Sequence, residues 1–124
     1  MNIERVLVPV DFSPPSNLAV NYGISLARKF RAKLTLLHVI EAPTALMHAF
    51  PTGIDKIEQQ NRERAERMLA ALVGPEDQDD LDLHTIVKSG EIEEEIHLAI
   101  REHGSDIVVM GTHGRRLLGR WFPG

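Results

Sequence analysis

Short apolar runs alternate with amphipathic stretches along this chain. Residues 3–10 (IERVLVPV), 33–40 (KLTLLHVI) and 106–110 (DIVVM) are nearly continuous runs rich in β-branched side chains. Such runs are typical of strands that are buried on both faces of a parallel sheet. Residues 81–88 (LDLHTIVK) alternate apolar and polar positions, which also indicates a strand. The pattern therefore predicts four short strands.

The first predicted helix starts directly after the first strand. Ser13 precedes Pro14, and a serine N-cap followed by proline at the first helical position is a helix-start signal. Apolar or small residues then recur at helical spacing, at Ala19, Gly23, Leu26, Ala27 and Phe30. We therefore expect a helix from Pro14 to about residue 31.

Two further helices are predicted. One covers about residues 54–73 and ends at Gly74, and the other covers about 91–103 and ends at Gly104. The apolar seam of the former consists of Ile57, Ala65, Met68, Leu69 and Leu72. The resulting order, β-α-β-α-β-α-β, favours right-handed crossovers and a parallel sheet with helices on both faces, which is a three-layer α/β fold.

Two acidic clusters have simple structural interpretations. Residues 76–80 are predicted to be a solvated loop. Glu91 and residues 93–95 fall in the first turn of the last helix, where negative charge complements the helix dipole. The same charges make that helix start a poor site for phosphate.

Composition narrows the possible functions. A chain of 124 residues with 43% hydrophobic and 26% charged residues is expected to form a single globular domain. A net charge of −4 argues against nucleic-acid binding, and the absence of cysteine excludes disulfides and thiolate metal sites. No secretory signal and no apolar run of membrane-spanning length is present, so we expect a soluble, cytoplasmic protein without a membrane partner. The histidines show no metal-ligand spacing.

Candidate binding residues fall where the strands end. In open α/β sheets, ligands bind outside the carboxyl ends of the strands, where the strand order reverses. Asp11 follows the first strand, Val39 lies at the end of the second, and a loop beginning at Gly111 follows the fourth. Glycine lets a backbone approach phosphate closely. Asp11 is a candidate acceptor for ribose hydroxyls, or alternatively a cap for the turn at Ser13.

Three segments, VLVPVDFS, LLHVI and IVVMGTHGRRLLGRWFPG, resemble the universal stress protein family. The nucleotide-binding branch of that family carries glycine, two residues, glycine, nine residues, glycine and then serine or threonine. Here the spacing is met by Gly111, Gly114 and Gly124. The resemblance implies a Rossmann-like fold that binds ATP, with or without Mg²⁺.

The resemblance also implies individual roles. Asp11 would lie near the ribose, Val10 and Val39 would flank the adenine, and the glycines would shape the phosphate loop. The alternatives are that the glycines are plain turn residues and that His113 is a solvated loop residue. The predicted nucleotide-binding residues are Pro9, Val10, Asp11, Val39, Met110, Gly111, His113, Gly114, Arg115 and Gly124.

One departure from the family pattern bears on assembly. The sequence stops at Gly124, before the serine or threonine, the following helix and the fifth strand of the family. We therefore expect a C-terminally short domain over 1–124 with four visible strands. The fifth strand is the family's usual dimer contact, and without it the fourth strand is expected to be an exposed edge that pairs in a homodimer.

Neither a paired acid–base constellation nor an activated nucleophile is visible in the sequence. We expect nucleotide binding and signalling in a stress response, with at most slow ATP hydrolysis. The alternative is a dimeric interaction module of the same fold that binds no nucleotide.

Overall fold

The computed structural model describes residues 2–41 and 54–111 of the chain, with side chains of residues 54 and 55 left out. None of the helices in these segments has the length and apolar character needed to cross a membrane. The elements are, in chain order, β1 (Arg5–Pro9), α1 (Pro14–Phe30), β2 (Lys33–Glu41), α2 (Ile54–Ala71), α3 (Pro75–Asp80), β3 (Asp82–Gly90), α4 (Ile92–His103) and β4 (Ile107–Val108).

The strands of the described segments form one parallel sheet in the order β3-β2-β1-β4. The chain moves outward from β1 to β3 and then returns to the other side of β1, so the strand order reverses between β1 and β4. Val6 lies at the centre of this arrangement, paired with Leu34 of β2 and Ile107 of β4. The predicted α/β fold with a parallel sheet is confirmed.

Helices cover both faces of the sheet because strand side chains alternate between them. On one face, Val6 and Val8 of β1 join a core cluster with residues of α1 and α2. On the other, Leu7 and Leu37 pack against Ile96 and Ala99 of α4. The result is a three-layer, Rossmann-like sandwich.

The predicted helix boundaries at α1 and α4 are confirmed. The Ser13 side chain accepts a hydrogen bond from the Ser16 amide at 3.3 Å, and Pro14 occupies the first turn. Glu91 caps α4 by accepting from the Glu94 amide at 3.0 Å, and Gly104 ends that helix in the left-handed conformation. Local sequence therefore determines where both helices begin.

The prediction of a loop at residues 76–80 is wrong, because Pro75–Asp80 forms the short helix α3. Proline in its first turn is preorganised for helix, and Glu76 and Asp77 complement the dipole there. Asp77 also forms an ion pair with Arg28 of α1. The predicted exposure of this stretch was correct, since none of its residues is buried.

β4 is shorter than the predicted strand 106–110. The regular ladder spans two residues. On its N-terminal side, the Asp106 amide donates to the Arg5 carbonyl and the Asp106 carboxylate accepts from the amides of Glu4 and Arg5. Backbone pairing still continues past the strand, where the Val109 amide donates to the Leu7 carbonyl at 2.9 Å. The chain thus stays parallel to β1 up to the edge where candidate ligand residues lie.

Candidate functional site

A cavity of about 160 Å³ opens at the carboxyl ends of β1 and β2, beside the point where the strand order reverses. The loop from β1 to α1, the start of α4 and the chain after β4 complete its walls. Its lining residues are Pro9, Val10, Asp11, Ser13, Ser16, Leu37, His38, Val39, Ile92, Ile96, Met110 and Gly111.

The cavity gathers the predicted binding residues that fall in the described segments. Six of them, from three separate stretches of sequence, line it together: Pro9, Val10, Asp11, Val39, Met110 and Gly111. The other four predicted residues lie outside the described segments: His113, Gly114, Arg115 and Gly124. Their roles remain predictions.

Asp11 holds the loop between β1 and α1 in place. Its Oδ1 atom accepts hydrogen bonds from the Ser13 amide at 2.9 Å and the Ser13 hydroxyl at 2.5 Å. Its own amide donates to Ser16 Oγ at 3.0 Å. The capping role considered from the sequence is therefore present, and it leaves Asp11 exposed at the cavity mouth. A ribose contact from the same carboxylate is compatible with this position and remains a prediction.

Gly111 is required by a close backbone approach. A Cβ atom at this position would lie 2.6 Å from the Pro15 carbonyl carbon and 2.7 Å from the Ser16 amide nitrogen. Since neither backbone atom can move aside easily, only glycine lets the chain leaving β4 run against the first turn of α1. This contact joins the start of the predicted glycine loop to the wall of the cavity.

The cavity is apolar on one side and polar on the other. Leu37 and Ile96 are almost fully buried and, with Ile92 and Met110, form the apolar side. Asp11, Ser13, Ser16 and His38 provide the polar groups. An apolar cleft with a few convergent polar groups is the usual form of a small-molecule site. The lining residues therefore have the mixed apolar and polar character of a small-molecule site.

Two helix starts near the cavity differ in charge. α1 has no acidic residue in its first turn, whereas α4 begins with Glu93, Glu94 and Glu95. Because carboxylates oppose anions, the α4 start is unfavourable for phosphate. At the α1 start, Pro14 and Pro15 have no amide hydrogen and the amides of Ser16 and Asn17 donate to Ser13, so these first-turn amides are already used. The sequence-based expectation that the α4 start is a poor phosphate site remains a prediction.

Several lining residues were missed at the level of sequence. Ser16 and His38 each had a usable signal, since one follows a helix cap and the other immediately precedes Val39 at a strand end. Ile92 and Ile96 had none, because they form a wall only when α4 packs across the sheet. Local pattern identifies the ends of strands but not the helix that covers them.

The sheet order, the two helical layers and a cavity at the reversal of strand order define a Rossmann-like α/β protein with a ligand cavity at its switch point. A sequence model described as Universal stress protein family matches residues 2–124. The chain belongs to the universal stress protein family.

Individual relatives agree with this assignment. The chain is 29% identical over 114 residues to universal stress protein A of Photorhabdus laumondii, covering 91% of this chain and 78% of the relative. Its fold is similar to that of hypothetical protein MJ0577, with a TM-score of 0.75 and 22% identity over 89% of this chain and 75% of the other. It is also similar to a universal stress protein solved in complex with cAMP, with a TM-score of 0.54 and 22% identity over 88% of this chain and 73% of the other.

Proposed function

We propose that this protein binds an adenine nucleotide, namely ATP with or without Mg²⁺, in the cavity at the switch point. It would act in the cytoplasm as a stress-response protein that works through binding and signalling, with at most slow hydrolysis. The observation that carries the proposal is the convergence of Pro9, Val10, Asp11, Val39, Met110 and Gly111 on one cavity.

The chemistry of the walls supports one orientation of the nucleotide. The adenine would lie on the apolar side between Val10 and Val39, and the ribose hydroxyls would face Asp11. The phosphates would extend toward Gly111, away from the glutamates of α4. The related fold in complex with cAMP supports the proposal at the level of nucleotide class.

Calorimetric titration of the full chain with ATP, ADP, AMP and cAMP, with and without Mg²⁺, tests the proposal. ATP should bind most tightly, because its longer phosphate chain can accept more hydrogen bonds from the backbone amides of the predicted glycine loop. Tighter binding of cAMP than of ATP would support the proposed binding of an adenine nucleotide but contradict the proposal that this nucleotide is ATP. No binding heat with any of the four nucleotides would refute the proposal.

Asp11 can be tested without losing its structural contact. In Asp11→Asn, the side-chain oxygen still accepts from the Ser13 amide, but the negative charge that favours ribose hydroxyls is gone. We expect ATP affinity to fall by about 1–2 kcal/mol with little change in stability. Asp79→Ala on α3, outside the cavity, is the matched control. Equal affinity in Asp11→Asn and wild type would remove the Asp11 carboxylate from the site.

A second candidate function is a dimeric interaction module. A groove between α1 and the chain after β4 is lined by apolar residues, among them Pro14, Leu18, Tyr22 and Val109. Leu18 and Tyr22 are 58% and 63% exposed. Large exposed apolar side chains beside a sheet edge favour association. The groove shares Met110 and Gly111 with the cavity, whereas Leu18 and Tyr22 line the groove alone.

A further inference from the structure

His38 connects the ends of two strands inside the cavity wall. Its Nδ1 atom lies 2.7 Å from the Val10 carbonyl oxygen, and the Val10 amide donates to the Leu37 carbonyl at 2.7 Å. A carbonyl oxygen only accepts hydrogen bonds, so Nδ1 must carry the proton. In the neutral ring, Nε2 is then the unprotonated nitrogen. His38 therefore holds the residue immediately before Asp11.

His38 also contacts the residue immediately after Asp11. The ring centroids of Phe12 and His38 lie 4.6 Å apart, with the ring planes inclined by 44°. Phe12 has a φ angle of 65°, a left-handed conformation that is uncommon for a bulky residue. Such a conformation persists only when surrounding contacts hold it. The His38 ring supplies a packing contact to this side chain.

We infer that His38 is a positioning residue of the nucleotide site: by holding Val10 through a hydrogen bond and Phe12 through ring packing, it fixes Asp11 between them. The inference rests on the proposed function, because the expected consequence of losing His38 is a lower affinity for the nucleotide. The remaining contacts of this loop, from Ser16 to the Asp11 amide and from Asp11 to Ser13, lie on the α1 side. His38 adds a side-chain tie to β2, next to the backbone hydrogen bond from the Val10 amide to the Leu37 carbonyl.

Two substitutions separate the hydrogen bond from the ring. Asparagine has a side-chain nitrogen near the position of histidine Nδ1, so His38→Asn keeps a donor for the Val10 carbonyl and removes the ring. His38→Phe keeps a ring against Phe12 and removes the donor. Because a buried carbonyl left without its partner is costly, we expect His38→Phe to weaken ATP binding about tenfold. His38→Asn should recover most of that loss.

The ATP affinities of the two variants are compared at a temperature where thermal melts show both to be folded. Recovery in His38→Asn supports positioning through the hydrogen bond. Equal losses in both variants, or no loss in either, would overturn it. A stability change that is not accompanied by this difference in ATP affinity indicates a purely structural histidine and also overturns the inference.

A measurement on the nucleotide-free protein tests the structural part of the inference, namely the hold of His38 on the loop around Asp11, without ATP. Long-range ¹H–¹⁵N correlation spectra distinguish the two neutral tautomers of histidine, and we expect His38 to be protonated at Nδ1. The amide resonances of Asp11 and Phe12 should shift in His38→Phe and move back toward wild type in His38→Asn. A neutral ring protonated at Nε2 would overturn the inference. If wild type binds no nucleotide but these signatures hold, the proposed function fails and the role of His38 in shaping the loop stands.

Discussion

Asp106 joins the start of β4 to the start of β1 through a single carboxylate. Its Oδ2 atom accepts from the Glu4 amide at 2.8 Å and the Arg5 amide at 2.9 Å. These two backbone hydrogen bonds, with a smaller contribution from the Arg5 charge, lower the pKa of Asp106 below its ordinary value of 3.8. Hydrogen bonds to the charged form of an acid stabilise that form.

The lowered pKa of Asp106 predicts a pH dependence of stability. The contribution of the carboxylate is complete above pH 3.8, the ordinary value, and is lost as the pH falls through the lower pKa of the folded state. Urea unfolding should show Asp106→Ala to be less stable than wild type at neutral pH, with a smaller difference at pH below 3.8. Asp79→Ala is the control. A gap between Asp106→Ala and wild type that is independent of pH would contradict the assignment.

Gly23 sets how closely α1 approaches the sheet. A Cβ atom here would lie 2.6 Å from Val8 Cγ2 and 3.3 Å from Leu34 Cδ1. Alanine gains about 1 kcal/mol of helix propensity over glycine, whereas overpacking a core costs about 1–3 kcal/mol. We expect Gly23→Ala to lower the free energy of unfolding, measured in urea. Ser25→Ala, at an exposed position of the same helix, should not lower it. If Gly23→Ala were instead more stable than wild type, the side chains of Val8 and Leu34 would have to move enough to accommodate the added methyl group.

At the scale of elements, α2 contacts the sheet through a narrower seam than its sequence indicates. Within the helix, Ala65 and Leu69 are buried, four residues apart, and Val73, just beyond its end, is buried as well. Ile57 and Met68, which the sequence pattern assigned to the seam, are 59% and 41% exposed. The prediction was wrong for these two because α2 covers only one side of β2 and β3. Apolar residues on a helix surface need not face the core.

The difference between neighbouring residues of α2 can be measured. Leu69 has no exposed surface, so Leu69→Ala should cost about 2–5 kcal/mol of unfolding free energy through lost burial and an internal cavity. Met68→Ala removes a partly exposed side chain from the same turn, and we expect a change of about 0.5 kcal/mol or less. Chemical denaturation of both variants tests this. Similar losses would mean that Met68 also packs against the core.

At the scale of the molecule, β4 lies at one edge of the sheet formed by the described residues. The exposed Leu18 and Tyr22 line a groove together with Val109, the residue that follows β4. We expect a homodimer at micromolar concentration by light scattering, weakened in Leu18→Ser. Ile57→Ser on α2, at an equally exposed position away from this groove, is the control. A monomeric mass for wild type at high concentration would contradict dimerisation.

The sequence by itself determined the order and type of the main elements. Strong local signals are responsible: β-branched runs for the strands, Ser13 with Pro14 for the start of α1, and Gly104 for the end of α4. It also predicted that Pro9, Val10, Asp11, Val39, Met110 and Gly111 lie together, and these residues line one cavity because parallel strands place their carboxyl ends at one edge. The prediction of a loop at residues 76–80 was wrong, because a six-residue helix is too short to show a helical period of apolar residues.

Only the tertiary structure decided how the cavity is closed. Ile92 and Ile96 line the cavity because α4 packs on the opposite face of the sheet from α1. No local sequence pattern shows where a helix will lie on the sheet. Gly111 was recognised from its spacing in the sequence, but its contact with Pro15 appears only when β4 lies beside β1. His38 reads as an ordinary strand residue until the Val10 carbonyl is brought within hydrogen-bond distance. Local preferences act over a few residues, whereas these contacts join residues far apart in the chain and form only when the layers pack.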